Sequence, residues 1–524
     1  MSSSNWFIRN VALALLILLF LVVLKIIFSL LIRPHMVYKK LKRNGLNGPS
    51  PSFPFGNIND MLASKNKKKN SSISSSTISH DIHSNVVPYF SQWQKSHGKV
   101  FMYWLGTEPF LCIADPEFLK QMAAGVLGKS WGKPDVFRND RKPMFGNGLI
   151  MVEGDDWLRH RSVITPAFSP ANLKAMGSQM VASTNKMLDR WTSLINSGVQ
   201  EIEVESEIIA TAGEIIAKTT FGMDYENGKK VLHKLRTMQK VLFASNRYVG
   251  VPFSKFLCYK QYLEAMRLGD EIDALFLTII KSRIKSKEAA GLGSTAAGKE
   301  KNLLDLMLAD KDCRNTLTTR ELVDECKTFF FGGHETTGLA LIWTLLLLAL
   351  NPEWQNQLRE EIKQVIGDQV VDANSIAGLK KMEWVMSEAL RLYPSAPNAQ
   401  RQAKYDIRVG EVVIPKGTNM WIDIVSMNHD RDLWGDTVND FRPERFEADG
   451  VHGGCNSKMG YVPFGFGGRM CIGRNLSAME YKIVLTLILT RFSFSPSPYY
   501  CHLPVIMLSL RPSKGLPLLV HPIN

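Results

Sequence analysis

The stretch that constrains the fold most is residues 464–473, which read Phe464-Gly-Phe-Gly467-Gly-Arg469-Met-Cys471-Ile-Gly473. Its glycines let the backbone turn sharply and pass close to a flat group, because they lack a Cβ atom. A lone cysteine is usually a buried, inert residue, but a pattern of this length is far more specific than one cysteine. The pattern therefore predicts a loop that holds Cys471 beside a bound planar group.

Cys471 is the candidate metal ligand of this loop. A cysteine thiolate can ligate the iron of a haem and donate electron density to it. Arg469, two residues earlier, can pair with a haem propionate. Residues 476–490 predict a helix after Gly473, and the positive end of the helix dipole favours a thiolate at this position.

A second signal lies in residues 318–351, which predict a helix about 50 Å long with Thr318 and Glu321 as its capping box. Its centre reads Gly332-Gly333-His334-Glu335-Thr336-Thr337, and several of these residue types are poor helix formers. They predict a local widening of the helix that opens a polar groove. There the carboxyl of Glu335 and the hydroxyl of Thr336 can relay protons, which makes them the candidate catalytic pair.

Spacing excludes two other interpretations of this helix. A zinc-protease motif needs a second histidine four residues after His334, where Gly338 stands. The apolar run 339–350 has 12 residues, whereas a transmembrane helix takes about 20. We therefore expect the second half of the helix to lie in the protein core.

Two further motifs place charged groups on predicted helices. Glu388 and Arg391 stand three residues apart and share a helix face, and Arg445 supplies a second arginine to a buried network. Such networks specify a unique packing more surely than they stabilise it. Trp157 and Arg161 stand four residues apart, so both can reach haem propionates, although a tryptophan on a helix is more often a core residue.

The N-terminal region predicts a membrane anchor. The first 69 residues hold eleven Lys or Arg and one acid, so they carry most of the net charge of +14. Residues 11–32 are apolar apart from Lys25 and are long enough to span a bilayer. Basic residues cluster directly after them, which places residues 1–10 in the lumen and the main body in the cytosol. A cleaved signal peptide is disfavoured because no small-residue cleavage site follows, and the charge distribution favours membrane lipid over nucleic acid as a partner.

The rest of the chain divides into a linker and one large domain. Residues 33–87 predict a basic, proline-containing linker, in which the Lys-, Asn- and Ser-rich residues 65–79 form a mobile loop. Residues 88–524 predict one mainly helical domain with a small β portion. The chain has seven cysteines and no CxxC pair, which argues against a zinc site and a disulfide framework.

These motifs, in this order, resemble the cytochrome P450 family from about residue 85 to the C-terminus. The resemblance implies a triangular, mainly helical prism around a haem, preceded by a transmembrane helix in the endoplasmic reticulum membrane. It implies that Cys471 ligates the haem iron and that Glu335 and Thr336 are the family's acid–alcohol pair. It also implies a structural triad of Glu388, Arg391 and Arg445. The other residues implied to bind haem are Trp157, Arg161, Arg401, Phe464, Gly467, Arg469 and Gly473.

The resemblance also implies a reaction and its partners. A haem-thiolate monooxygenase inserts one oxygen atom from O2 into a lipophilic small molecule, and a membrane-bound flavin-containing reductase delivers the electrons from NADPH. Two alternatives are a P450-fold isomerase or dehydratase that needs no reductase, and a non-catalytic haem-binding membrane protein. The presence of both Glu335 and Thr336 favours oxygen activation, because the reductase-independent relatives often lack this pair.

Three segments resemble a plant clan that includes cytokinin hydroxylases, gibberellin-modifying oxidases and terpenoid oxidases. They are Asp324-Glu-Cys-Lys-Thr-Phe-Phe-Phe, Asn351-Pro-Glu-Trp-Gln and Met420-Trp-Ile. We therefore expect a plant isoprenoid or hormone-like substrate. Gly332 and Ser395 stand where Ala and Pro are commoner, and we expect neither to touch the catalytic pair.

Family position also implies which residues line the substrate pocket. Most are apolar and suit a lipophilic substrate, while Asn398 and Gln400 can orient one polar group. Ordinary core packing is the alternative for each of them. The implied lining consists of the loop 128–149 together with Phe330, Phe331, Ala396, Asn398, Gln400 and Val505.

Overall fold

The computed structural model describes residues 2–71, 78–124, 131–243, 249–289, 302–308 and 317–523. The helices are α1 Ser2–Ile27, α2 Arg33–Arg43, α3 Ile58–Ser71, α4 His83–Val86, α5 Pro88–His97, α6 Pro116–Ala124, α7 Asp135–Phe145, α8 Gly154–Ile164, α9 Pro170–Asn196, α10 Val204–Phe221, α11 Tyr225–Phe243, α12 Ser254–Leu257, α13 Tyr259–Ala289, α14 Leu303–Met307, α15 Thr319–Leu350, α16 Pro352–Val365, α17 Lys380–Leu392, α18 Ile424–Asn428, α19 Arg431–Trp434, α20 Arg445–Ala448 and α21 Arg474–Arg491. The strands are β1 Val100–Leu105, β2 Glu108–Ile113, β3 Trp131–Gly132, β4 Glu201–Glu203, β5 Asn398–Ala403, β6 Ile407–Val409, β7 Val412–Ile414, β8 Asn419–Asp423, β9 Phe492–Pro496, β10 Pro504–Met507, β11 Ser509–Pro512 and β12 Pro517–Pro522. The predicted mainly helical architecture with a small β portion is confirmed.

The largest sheet holds the strand that carries Arg401. Its strands lie in the order β1-β2-β8-β5-β3, with β2 and β8 parallel and the other neighbours antiparallel. Trp104, Leu111 and Met420 are buried in the core of this sheet, where apolar side chains leave water. Pairing of β5 with β8 puts Arg401 opposite Met420, so the register of the sheet fixes the position of the arginine.

The central helix is α15, and it begins as the sequence predicts. The Glu321 amide donates to the Thr318 hydroxyl, and the Glu321 carboxylate accepts from the Thr318 amide, which forms the predicted capping box. Residues 339–349 are all buried. At 32 residues, α15 is long and apolar enough to cross a membrane, so its burial inside the protein, and not its length, identifies it as a core helix.

Two glycines of α15 allow α10 to pack closely against it. A Cβ atom on Gly333 would lie 2.3 Å from Cδ1 of Ile216, and one on Gly338 would lie 2.8 Å from Cδ1 of Ile209. Both distances are far below van der Waals contact, so a larger residue at either position would force the facing isoleucine side chain to move. These glycines therefore serve helix packing.

The predicted widening of α15 is wrong. The helix runs uninterrupted as an α-helix from Thr319 to Leu350. The Thr336 hydroxyl donates to the Gly332 carbonyl oxygen at 2.7 Å, four residues back on the same helix. The hydroxyl therefore has a partner within the helix, and the α-helical hydrogen bonding continues through this turn.

A buried ion pair on α17 also donates to the backbone of the chain segment that leads towards Cys471. Arg391 donates to both carboxylate oxygens of Glu388, at 2.7 and 2.8 Å, and both side chains are fully buried. The same guanidinium donates to the carbonyl oxygens of Asn428 at 3.0 Å and Val438 at 2.6 Å. Nε of Arg445 lies 3.4 Å from Oε1 of Glu388. The structure thus brings together the three residues expected to form the structural triad.

The N-terminal helix has the character of a membrane anchor. Residues 6–43 form one helical stretch of high mean hydropathy, in which a π-helical turn, Phe28–Ile32, joins α1 to α2. Its apolar side chains, such as Leu16 and Phe20, are more than half exposed, and a run of exposed apolar side chains this long is unfavourable in water. The helix is long and apolar enough to cross a bilayer.

The region between the anchor and the main body is more structured than the sequence predicts. Leu41 of α2 and Leu46 are buried among the side chains of the largest sheet. The predicted mobile loop is wrong for residues 65–71, which belong to α3, and the remainder of that stretch includes residues 72–77, outside the described part of the chain. Ile58 and Met61 are buried in the first turn of α3 and hold this helix to the body, which explains why a polar sequence continues as a helix.

We expect removal of residues 2–32 to detach the protein from membranes. The deletion takes away most of the exposed apolar surface of the anchor, whereas Leu41 and Leu46 remain to pack against the sheet. In a fractionation of cell lysate at high ionic strength, the truncated protein should move from the membrane pellet to the supernatant. A truncated protein that stays in the pellet at high salt and is released by mild detergent would contradict a single anchor.

We expect Glu388→Gln to destabilise the protein strongly, because Arg391 would remain buried without a charged partner. Breaking a buried ion pair on one side costs about 3–5 kcal/mol. The matched control is Glu411→Gln, since Glu411 lies 3.4 Å from Arg408 in a pair whose side chains are 95% and 70% exposed. Exposed pairs are worth roughly 0–1 kcal/mol. Urea unfolding followed by circular dichroism should separate the two variants, and equal midpoints would contradict the assignment.

Candidate active site

The loop around Cys471 is shaped by its own backbone hydrogen bonds. The Cys471 amide donates to the Phe464 carbonyl oxygen at 2.8 Å, and the Met470 amide donates to the Gly467 carbonyl oxygen at 3.1 Å. Gly467 has a φ of +62°, in the left-handed region that favours glycine, and no atom lies within 4 Å of where its Cβ would be. The loop therefore presents Cys471 immediately before α21, beside open space.

Cys471 lies within the protein body yet is accessible. Burial raises the pKa of its thiol, while the Gly473 amide and the Arg161 guanidinium act in the opposite direction. Cys112 and Cys326 differ, because both are fully enclosed and burial raises their pKa well above the usual value. Of these three thiols, Cys471 is the one that an external ligand can reach.

Three arginines predicted to bind propionates surround this loop, and each donates to a backbone carbonyl oxygen. Arg401 donates to Gln400 at 2.8 Å, Arg469 to Val152 at 2.9 Å and Arg161 to Met470 at 3.3 Å. Among the described residues, none of the three arginines forms an ion pair with a carboxylate. Burial lowers the pKa of both Arg401 and Arg469 to about 10, so both stay protonated at neutral pH. The three arginines are half-buried, and half-buried cations without anionic partners form a site for an anion.

Trp157 packs against this cationic group. The Arg469 guanidinium lies 4.5 Å from the centre of the Trp157 ring, a cation–π distance. The same ring faces the glycines of the Cys471 loop, because a Cβ on Gly468 would lie 3.7 Å from its edge. The structure therefore brings Trp157, Arg161, Arg401 and Arg469 to one place, although α8, β5 and the Cys471 loop carry them.

Lys133 also belongs to this cationic group, and the sequence motifs do not reveal it. Burial, followed by the charges of Arg401, Arg469 and Arg141, lowers the pKa of Lys133 well below its usual value, with Glu153 opposing them. Lys133 lies in the predicted pocket loop 128–149, but its spacing from Trp157 forms no recognisable motif. Only the pairing of β3 with β5 brings it near Arg401.

These residues fit a haem. The accessible thiol of Cys471 suits an iron ion, and the open space beside Gly467 suits a flat macrocycle. The half-buried arginines without anionic partners suit two propionates. Gly332 of α15 also has no atom within 4 Å of where its Cβ would be. The hydroxyls of Thr337 on α15 and Ser477 on α21 are 3.0 Å apart, so the helix that follows Cys471 crosses α15 next to Thr336.

Glu335 and Thr336 differ in their surroundings. Thr336 is half-buried, and its hydroxyl is on the same side as Gly332. Glu335 is fully buried and accepts from the Ser509 hydroxyl at 2.5 Å and from Nε2 of Gln239 at 2.8 Å. The structure therefore does not join the two residues in one polar groove, because the Glu335 carboxylate is held between α11 and β11.

The charge of Glu335 is set by its neighbours. Burial raises the pKa of this carboxyl, but the Arg511 guanidinium, 3.9 Å away, together with His334, Ser509 and Gln239, outweighs burial and lowers the pKa. Arg511 in turn pairs with Glu205 at 3.0 Å. The carboxylate of Glu335 is therefore ionised within a buried network that contributes to the fold as well as to any proton transfer.

Ser395 contacts the catalytic pair, contrary to expectation. Its hydroxyl donates to the Thr336 carbonyl oxygen at 2.9 Å, and its own carbonyl oxygen accepts from the Leu510 amide at 3.2 Å. A proline at position 395 has no hydroxyl to donate. The serine thus ties the segment after α17 to the catalytic turn of α15.

The residues expected to line the substrate pocket have different surroundings. Phe330 stacks on Phe221 with ring centres 6.0 Å apart, which is core packing between α15 and α10. The ring centre of Phe331 lies 5.4 Å from that of Phe145, which is the last residue of α7. Asn398 accepts from the Gln400 amide at 2.9 Å.

Two other pocket candidates are accessible. Ala396 is exposed, and Val505 of β10 is half-buried. Part of the predicted pocket loop, residues 128–130, lies outside the described part of the chain.

Comparison with known proteins agrees with this geometry. A family model described as cytochrome P450 matches residues 75–518. Two Arabidopsis thaliana proteins described as cytokinin hydroxylase are 36% and 34% identical to the chain; the first match covers 94% of both chains, and the second covers 97% of this chain and 98% of the relative. Cytochrome P450 714C2 of Oryza sativa subsp. japonica is 34% identical over 99% of this chain and 98% of its own. The protein described here is therefore a member of the cytochrome P450 family of monooxygenases.

Proposed function

We propose that this monooxygenase inserts one oxygen atom from O2 into a lipophilic small molecule, with electrons from NADPH delivered by a membrane-bound flavin-containing reductase. One observation carries the proposal: the accessible thiol of Cys471 lies among half-buried cations without anionic partners, where α21 crosses α15 beside Thr336. When bound, a haem–thiolate centre supplies the oxygen-activating chemistry that protein side chains lack.

The residues of this chain hold and orient the haem. Cys471 would ligate the iron, and the Gly473 amide and Arg161 would stabilise its thiolate against the effect of burial. Trp157, Arg401 and Arg469 would neutralise the propionates. Phe464, Gly467 and Gly473 would leave room for the flat macrocycle.

Two residues of α15 would control protons. The Thr336 hydroxyl donates to the Gly332 carbonyl oxygen. If it turned to a water or a substrate instead, the backbone hydrogen bonds of the helix would remain, and the hydroxyl would be a proton donor at the site. Ser509 and Gln239 both donate to Oε1 of Glu335, while its Oε2 is buried without a hydrogen-bond partner among the described residues, so Oε2 is the oxygen that can accept a proton. We therefore assign proton transfer at the site first to Thr336, with Glu335 as the buried partner one residue away.

The substrate we propose is a plant isoprenoid or hormone-like molecule: a cytokinin, a gibberellin or another terpenoid. Two relatives described as cytokinin hydroxylases match nearly the whole chain, at an identity that supports a shared reaction more strongly than a shared substrate. The aromatic side chains of Phe145 and Phe331 give the distal side an apolar character suited to such molecules.

We propose the endoplasmic reticulum membrane as the location, with the anchor crossing it once and the catalytic domain in the cytosol. The apolar helix at residues 6–43 supports an anchor, and the basic residues at its C-terminal end support this orientation. A cytosolic domain would also meet a reductase and NADPH in the same compartment.

Turnover in yeast microsomes that contain a plant reductase tests the function. The substrates are isoprenoid adenines, diterpenoid acids, triterpenoids and fatty acids, with NADPH present or absent. We expect an NADPH-dependent product heavier by one oxygen atom, absent with Cys471→Ala because that variant lacks the iron ligand.

The spectrum of the reduced carbon monoxide complex separates the alternatives. A thiolate-type spectrum without any oxygenated product would retain the haem site and overturn the proposed substrates. A product that forms without NADPH and without the reductase would support an isomerase or dehydratase. Well-expressed protein that binds no haem would overturn the proposed function.

We expect Thr336→Ala to uncouple electron use from product formation. Loss of the hydroxyl removes the proton donor at the site, so NADPH should still be consumed while hydrogen peroxide increases and product per NADPH falls several-fold. The control is Thr344→Ala on the same helix, since that buried hydroxyl bonds to Ala340 and Tyr481, away from Gly332. Equal coupling in the two variants would contradict the role of Thr336.

A further inference from the structure

We propose that Arg141 binds a carboxylate of the substrate, so that the substrate is an amphipathic acid with a largely apolar body. This inference rests on the proposed monooxygenase function and narrows its substrate class. It assigns a specificity-determining role to a residue that belongs to no motif of the sequence.

Arg141 lies in the second turn of α7, and its charge has no anionic partner among the described residues. Nη1 donates to the side-chain oxygen of Gln400 at 2.8 Å, and Nε is buried without a hydrogen-bond partner. Residues 125–130, which precede β3 in the chain, and residues 244–248, which follow α11, are outside the described part and contain no Asp or Glu in their sequence. An amide oxygen satisfies one donor of a guanidinium that has five.

The energetic cost of this arrangement indicates a missing anion. Burial lowers the pKa of Arg141 to about 10, which leaves it protonated at neutral pH. Its guanidinium lies 4.3 Å from the centre of the Phe137 ring and 5.6 Å from that of Phe243, and such contacts offset only part of the desolvation of a charge. A carboxylate that accepted from Nε and Nη2 would form a bidentate pair and satisfy the buried Nε donor.

The neighbouring arginine on α7 shows what a paired cation looks like here. Arg138, one turn earlier, lies with Nη2 2.6 Å from Oε1 of Glu153. Glu153 also lies 3.3 Å from Lys404, so the protein already uses the nearby acid. Nε of Arg138 is also buried without a hydrogen-bond partner, so the two arginines differ in that Arg138 has a carboxylate beside it and Arg141 has an amide.

Arg141 adjoins the cationic group that would hold the haem propionates, because its charge also lowers the pKa of Lys133 and its partner Gln400 is next to Arg401 on β5. Arg401 lies 5.9 Å from the Phe466 ring, and Arg469 lies over Trp157, so both of these cations contact the surroundings of the Cys471 loop. Arg141 instead contacts Phe137 of its own helix and Phe243 at the end of α11, besides Gln400 of β5. Its aromatic neighbours therefore differ from those of Arg401 and Arg469.

The surroundings of Arg141 suit the apolar body of an acid. The last residue of α7, Phe145, contacts Phe331 of α15 at 5.4 Å, and Phe331 lies one residue before Gly332, which has open space beside it. An acid anchored at Arg141 would extend its apolar part along this aromatic side towards Thr336. The Gln400 amide, which donates to Asn398 at 2.9 Å, keeps its oxygen directed at Arg141 and so fixes the guanidinium.

A matched pair of ligands tests the proposal on the haem-loaded, full-length protein. Dehydroabietic acid and its methyl ester have the same apolar body and differ in the charge of one group. Binding is measured by the change in haem Soret absorbance and by equilibrium dialysis of the labelled ligand. The wild-type protein should bind the acid more tightly than the ester by about ten-fold or more, the equivalent of a charge-assisted hydrogen bond.

Three variants connect that preference to one side chain. Arg141→Gln should lose about ten-fold in affinity for the acid and keep its affinity for the ester, whereas Arg141→Lys should keep part of the preference. Arg138→Gln removes a charge from the same helix and should leave the acid-to-ester ratio unchanged. Each variant is compared at equal haem content, established from the reduced carbon monoxide complex.

Specific outcomes overturn the proposal. It fails if the wild-type protein binds the ester as tightly as the acid, if it binds neither, or if Arg141→Gln keeps the preference. It also fails if Arg141→Gln loses haem, Arg141→Lys restores it and the preference stays constant, since Arg141 would then serve a propionate. In each case a normal carbon monoxide spectrum and Cys471-dependent turnover would leave the monooxygenase function intact.

Discussion

The Arg391 guanidinium donates to both oxygens of Glu388 and to the carbonyl oxygens of Asn428 and Val438, and the catalytic side of the protein depends on this contact. The pair is fully buried, so neither charge can be satisfied by water. It fixes the C-terminal end of α17 against the irregular segment that precedes the Cys471 loop. A loop without regular secondary structure has few hydrogen bonds of its own, and it needs such an external constraint to hold a ligand in one position.

Charge balance is the second constraint on the site. Besides burial, the charges of Arg401, Arg469 and Arg141 lower the pKa of Lys133, the charge of Arg401 lowers that of Arg469, and Glu153 opposes both effects. A folded protein tolerates this arrangement when an anion binds there, since the gain on binding exceeds the repulsion between the cations. The geometry therefore couples the stability of this region to its cofactor. Arg141 adds a further positive charge without an anionic partner among the described residues, and we propose that a substrate carboxylate binds it.

The motifs predicted the parts of the site that depend on local spacing. The Cys471 loop, the capping box of α15 and the pairing of Glu388 with Arg391 each involve residues within a few positions of one another, and each has the predicted form. The prediction for Glu335 was incomplete because its partners, Gln239 and Ser509, lie 96 and 174 residues away along the chain. The widening of α15 was wrong because the sequence did not reveal that α10 packs on Gly333 and Gly338.

The sequence by itself predicted the family and the mainly helical class, and it singled out Cys471 as the candidate ligand and the apolar N-terminal helix as the candidate anchor, because short-range spacing and hydrophobic patterning carry these features. Only the tertiary structure decided which charges are paired and which are free. It showed that Arg138 has a carboxylate partner and Arg141 has an amide, although the two residues are neighbours on α7. Burial and pairing arise where distant elements meet, and a charged residue in the sequence gives no indication of what it will contact there.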